Sequence, residues 1–137
     1  MTFTAPTPKD LAPVCDHLLS SYKEGIVVLL RGGLGAGKTT LVKLFAEMTG
    51  VTEGAASPTF AIMHGYGKKL FHYDLYQTDL EKFTNLGLFE ELEKPGFHMV
   101  EWGGEELEKM LEHYGIPYVT VTLTPEGDGR KVEVSRA

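Results

Sequence analysis

Cysteine occurs once in the 137 residues, at Cys15, so neither an internal disulfide nor a cysteine-built zinc site can form. A reducing compartment suits such a chain. Long apolar runs are missing too: Ile26-Val27-Val28-Leu29-Leu30 falls well short of the roughly 18 residues a membrane-spanning helix needs. No basic segment followed by an apolar stretch opens the chain, so a soluble, cytoplasmic protein with no membrane partner is expected. Positive charge is scarce and uneven in kind. Net charge is −6, and beside ten lysines the only arginines are Arg31, Arg130 and Arg136. No block of five or more basic residues supplies the footprint with which a protein grips nucleic acid unaided, so direct RNA or DNA binding is not expected. Internal repeats and low-complexity segments are lacking as well. What is present is 42% hydrophobic, enough for one packed core, and a single domain over residues 1–137 is expected.

Against this background one octet carries chemistry. Gly32-Gly33-Leu34-Gly35-Ala36-Gly37-Lys38-Thr39 has the spacing G-x-x-x-x-G-K-S/T of a phosphate-binding loop. Glycines let the backbone N–H groups turn inward around phosphate oxygens, in a concavity that Cβ atoms would fill. Lys38 then reaches the terminal phosphates, Thr39 offers a hydroxyl to Mg²⁺, and the start of the next helix adds partial positive charge. The nucleotide-contacting candidates are Gly33, Leu34, Gly35, Ala36, Gly37, Lys38, Thr39 and Thr40. Flanking pattern agrees. The apolar, β-branched run before the loop suits a strand buried on both faces, and Leu41, Leu44, Phe45 and Met48 recur at helical spacing until Gly50.

Elsewhere, Leu11, Val14, Cys15, Leu18, Leu19 and Tyr22 predict a first helix from Leu11 to Tyr22 with Asp10 as N-cap, and place Cys15 in the core. The small, polar stretch from Val51 to Thr59 reads as a loop able to rearrange around a nucleotide. Phe60 to Tyr66 and Leu70 to Leu75 form a strand pair across Gly67-Lys68-Lys69. Thr78 to Leu92 is helical, opened by the capping box Thr78-Asp79-Leu80-Glu81 and broken at Gly87. Phe97 to Trp102 reads as another central strand, followed by a helix with Leu107, Met110, Leu111 and Tyr114 on one face. Tyr118 to Thr124 and Arg130 to Ser135 make a C-terminal hairpin across Pro125 to Gly129. The sum is an α/β, three-layer P-loop-like fold with a mixed, mainly parallel sheet and a C-terminal β-hairpin, its ligands at the carboxyl ends of the parallel strands.

A phosphate loop requires carboxylates at neighbouring strand ends, because Mg²⁺ takes hard oxygen ligands and an attacking water must be held in line. Asp74 and Glu101 each end a predicted strand. His72, on the same strand face as Asp74, is read equally well as structural or functional, and Trp102 equally as a nucleotide-binding ring that stacks on the base or covers the site, or as a partly buried aromatic.

Taken together, the loop run 32–40, Ser57-Pro58-Thr59-Phe60, His72-Tyr73-Asp74-Leu75-Tyr76 and Glu101-Trp102 resemble, in order and spacing, the bacterial TsaE (YjeE) ATPase family. That family acts with the TsaB and TsaD proteins in the threonylcarbamoylation of adenosine 37 in tRNAs reading codons that start with A. The resemblance implies ATP and Mg²⁺ as ligands, Lys38 and the loop amides on phosphates, and Thr39 with Glu101 on the metal. It also implies Asp74 as the catalytic acid orienting water, Thr59 as a sensor of the γ-phosphate, and tRNA reached only indirectly. Two positions depart from the family pattern: Gly33 stands where aspartate is usual, and Gln77 where arginine is usual.

An arginine finger is worth roughly 10³ to 10⁵ in phosphoryl-transfer rate, and the sequence offers no evident one. Slow hydrolysis, completed or gated by a partner, is therefore expected. Two alternatives stay open: a nucleotide-dependent binding switch with incidental hydrolysis, and a small-molecule kinase. Neither an N-K-x-D guanine signature nor a definite adenine pocket is written in the residues, so ATP over GTP comes from the resemblance alone.

Overall fold

A computed structural model of the chain describes residues 1–33, 35–50, 63–66, 69–76 and 80–136. Their strands are β1 (Thr2–Ala5), β2 (Val27–Arg31), β3 (Met63–Tyr66), β4 (Leu70–Asp74), β5 (Phe97–Glu101), β6 (Tyr118–Glu126) and β7 (Gly129–Arg136). The helices are α1 (Ala12–Ser21), α2 (Lys38–Met48), α3 (Leu80–Asn85), α4 (Leu88–Glu91) and α5 (Gly104–His113). The described strands form one sheet in the order β1-β7-β6-β2-β5-β4-β3. β6, β2, β5 and β4 run parallel through the centre, with β3 antiparallel on one flank and the β7–β1 pair on the other.

The sheet divides two cores. Val28 and Leu30 turn to the face covered by α1 and α2, among Leu18, Leu41 and Phe45. Val27 and Leu29 turn to the opposite face, among Phe83, Leu88, Leu107 and Leu111 from α3, α4 and α5. A strand covered on both sides gains burial at every residue, which is why β2 is apolar without alternation. Register then fixes the site edge: Leu30 of β2 and Asp74 of β4 both pair with Glu101 of β5.

The predicted elements appear, with local differences. The first helix is preceded by a 3-10 turn, Pro8–Leu11. Asp10 is not the helix cap; its Oδ2 accepts the Thr7 backbone N–H at 2.9 Å and the Thr7 hydroxyl at 2.7 Å, closing the turn before α1. An additional strand, β1, pairs antiparallel with β7. Tyr114 lies just past α5 and is exposed rather than on the helix's buried face. β6 runs on through Pro125, beyond its last β2 partner at Thr122, where one edge needs no donor. The expected turn shrinks to Gly127-Asp128, with Gly127 at φ 60°. The predicted loop 51–59, residues 60–62, the hairpin residues Gly67 and Lys68, and the box residues Thr78 and Asp79 lie outside the described residues.

Candidate functional site

β2 delivers the chain into the glycine loop, and the glycines are placed for different reasons. A Cβ at Gly32 would sit 2.8 Å from the Leu123 carbonyl oxygen and 2.9 Å from the Ala36 Cβ, so the loop's first turn has no room for a side chain. Gly37, the N-cap of α2, has φ 103°, a conformation costly to any residue with a Cβ. At Gly33 a Cβ would meet nothing within 4 Å, so that glycine is not required by space. The Ala36 N–H donates to the Gly33 carbonyl at 3.1 Å.

Lys38 opens α2 and is only 5% exposed. Its Nζ donates to the Gly32 carbonyl at 2.8 Å and lies 3.2 Å from the centroid of the Trp102 ring. Burial lowers its pKa from the ordinary lysine value, against the opposing attraction of Glu101 and Asp74. Trp102 directly follows β5 with φ 64°, a left-handed backbone in a bulky residue, and its ring meets Tyr76 at 5.1 Å. Backbone strain and a tilted aromatic contact thus coincide over the lysine.

Glu101 is 4% exposed at the end of β5. The Thr39 hydroxyl donates to its Oε2 at 3.2 Å, and the His72 Nε2–H donates to the same oxygen. Burial alone would push this carboxyl up; the His72 ring, the Thr39 hydroxyl and the Lys38 charge outweigh it and hold the carboxyl below its ordinary value. Asp74 stands beside Glu101 in register but exposed, its Oδ1 accepting the Tyr76 backbone N–H at 3.0 Å. Loop, helix start and strand ends together enclose a cavity of about 270 Å³, lined among others by Gly35, Ala36, Gly37, Lys38, Thr39, Thr40, Asp74, Glu101 and Trp102.

Of the residues singled out from sequence, the structure brings these nine together, with Gly33 at the loop's exposed outer turn. Leu34, Thr59, the rest of the 57–60 segment and Gln77 lie outside the described residues. His72, undecided from sequence, buttresses Glu101. Arg130 of the terminal hairpin also reaches the loop: its Nε and Nη2 donate to the Ala36 and Gly35 carbonyls, each at 2.8 Å. No motif spacing signals that contact; only arginine scarcity marked the residue.

Residues 5–132 match the family model described as threonylcarbamoyl adenosine biosynthesis protein TsaE. The tRNA threonylcarbamoyladenosine biosynthesis protein TsaE of Bacillus subtilis is 33% identical over 132 residues, covering 88% of this chain and 83% of its own length. That of Treponema pallidum is 38% identical over 112 residues, covering 80% of each. The crystal structure of Bacillus subtilis YdiB superposes with a TM-score of 0.68 over 100% of this chain and 86% of that one, at 23% identity, a likeness of fold.

Proposed function

The chain belongs to the TsaE family, and from that premise and the cavity's chemistry we propose that it binds ATP with Mg²⁺ and hydrolyses it slowly in tRNA threonylcarbamoyladenosine biosynthesis. TsaB and TsaD are the proposed protein partners. The observation that carries this reading is the convergence of Lys38, Thr39 and Glu101 beside a glycine loop at the sheet's carboxyl edge.

The residues fit the ligands. Gly37 in a left-handed backbone and the unpaired first turn of α2 favour N–H groups aimed at phosphate oxygens. Lys38 adds a charge with a stem long enough to follow the terminal phosphates. Thr39 Oγ1 and Glu101 Oε2 are hard oxygens 3.2 Å apart, the kind of pair that holds Mg²⁺ when phosphate and water complete its shell. Among the described residues no group of three or more His, Cys, Asp or Glu is arranged to hold a metal by itself, so the ion would be shared with the nucleotide. Bound there, Mg²⁺ supplies positive charge to the phosphate oxygens.

In this reading the chain's own groups mostly position. His72 fixes the Glu101 carboxylate, Lys38 neutralises charge that grows on the transferred group, and exposed Asp74 orients the attacking water. Thr59 is assigned the γ-phosphate by resemblance. The chain's acidic balance leaves tRNA to the partners.

Calorimetric titration of the chain with ATP and MgCl₂ tests the proposal at its base. Saturable heat at one nucleotide per chain, lost in Lys38→Ala, is expected. No heat from folded protein at millimolar nucleotide would overturn it. With binding established, omission of this chain from a reaction containing TsaB, TsaD, ATP and tRNA should stop repeated rounds of modification, read by mass spectrometry of tRNA nucleosides.

A further inference from the structure

The glycine loop separates two hollows. Gly35, Gly37 and Thr40 line both the cavity holding Lys38 and Glu101 and a smaller one, about 150 Å³, on the side of the terminal hairpin. Arg130 occupies that second side. Its Nε donates to the Ala36 carbonyl, its Nη2 to the Gly35 carbonyl and its Nη1 to the Gly129 carbonyl, all at 2.8 Å. Every nitrogen of the guanidinium is thereby committed to a backbone oxygen, and two of those oxygens belong to the loop.

A trans peptide is planar, so its C=O and N–H point in opposite directions. Drawing the Ala36 carbonyl toward the hairpin therefore turns the Gly37 N–H away from it, toward the cavity. Drawing the Gly35 carbonyl the same way sets the Ala36 N–H where it closes on the Gly33 carbonyl, fixing the turn that precedes it. We propose that Arg130 is a positioning residue of the phosphate loop: its guanidinium clamps the loop's outward carbonyls, so that the Ala36–Gly37 peptide offers its N–H to phosphate before any ligand arrives. The clamp stands on a rigid base. Arg130 pairs in register with Ala5 of β1, and a Cβ at Gly129 would approach the Ala5 carbonyl oxygen to 2.5 Å, so hairpin and N-terminal strand are closely seated. A cation on the carbonyls also polarises those peptides and strengthens their N–H groups as donors.

Fork geometry matters here as much as charge. Lysine keeps the charge but cannot present two fixed parallel donors, and methionine keeps only the stem. This inference rests on the nucleotide reading above, and the experiment separates the two. ADP and ATP affinities with MgCl₂ are measured by calorimetry for the wild type, Arg130→Lys, Arg130→Met and the hairpin control Lys131→Ala. Amide hydrogen exchange over residues 32–41 is measured on the same nucleotide-free proteins. Both Arg130 variants are expected to bind each nucleotide on the order of tenfold more weakly at unchanged stoichiometry, with faster exchange confined to the loop and the Lys131→Ala chain matching the wild type. Wild-type affinity and unchanged loop exchange in Arg130→Lys and Arg130→Met would overturn the clamp. A fall in stoichiometry at unchanged affinity would also overturn it, since it reports lost folded protein rather than a misaimed loop. Should the wild type bind no nucleotide, the functional reading fails while exchange still decides the clamp: faster loop exchange in the variants sustains it, unaltered exchange removes it.

Discussion

Lys38 is held in the free chain at an energetic disadvantage. Burial lowers its pKa, so the folded state disfavours the ammonium despite the Gly32 carbonyl and the Trp102 ring. That cost would vanish with the charge. Lys38→Met is thus expected to lose on the order of a hundredfold or more in ATP affinity, while its urea midpoint at pH 7 stays at or above that of the wild type. A clear fall in midpoint would show that the lysine's contacts, not its desolvation, prevail. Asp74→Asn separates binding from turnover. Its side chain is exposed and its contact to the Tyr76 N–H can be kept by an amide oxygen, so ATP affinity should hold while hydrolysis falls on the order of a hundredfold. Calorimetry beside a phosphate-release assay reads both, and lost affinity would move Asp74 to ligand or structural duty. Asp74 and Glu101 were legible because strand ends near a phosphate loop are few. His72 was not, since whether a strand histidine meets an acid depends on cross-strand register. Arg130 was beyond reach for a similar reason: 94 residues separate it from Ala36.

At the scale of elements, the β4–β5 pair carries a second, purely internal constraint. His98 of β5 is 1% exposed, with Nε2 2.7 Å from the Lys94 carbonyl and Nδ1 2.7 Å from the Tyr73 hydroxyl of β4. A carbonyl only accepts, so Nε2 carries the proton and neutral Nδ1 accepts from Tyr73. Protonation would set Nδ1–H against that O–H, and burial accordingly lowers the His98 pKa below its ordinary 6.5. The folded state then binds fewer protons than the unfolded one, so this group's contribution is whole above about pH 6.5 and drains away as pH falls toward the folded value. His98→Asn should show a shallower loss of stability between pH 8 and 5 than the wild type, in urea unfolding followed across that range. Identical slopes would mean that other groups set the acid sensitivity. The continuous apolar run of β2 was readable because both sheet faces are covered there, and β5 is likewise buried along its whole length. The four-residue β1 was not, for its hydrogen bonds come from β7 and no local pattern announces them. Gly87 broke α3 from α4 as its place in the pattern implied, at φ 75°.

The whole molecule puts its two cores on opposite faces of the sheet and leaves the carboxyl edge of β2, β5 and β4 for chemistry. Among the described residues no arginine lines the cavity there. Arg31 pairs with Glu108 at 2.6 Å, Arg130 is spent on backbone carbonyls, and the Arg136 guanidinium lies 5.9 Å from the Tyr22 ring. In the proposed reading, full positive charge for the equatorial oxygens of a transferred phosphoryl group comes, among the described residues, from Lys38 beside Mg²⁺ and the loop amides. An arginine supplied from outside is worth roughly 10³ to 10⁵ in rate, which is the deficit a partner would fill. With a net charge of −6, the chain is also suited to meet a basic face rather than tRNA. Steady-state ATP turnover by the isolated chain should therefore be slow and should rise steeply when TsaB and TsaD are added together. The rise should shrink with added salt, as an electrostatically guided encounter requires. If the chain by itself turns over ATP as fast as the mixture, the cavity is already complete and partners serve some other step.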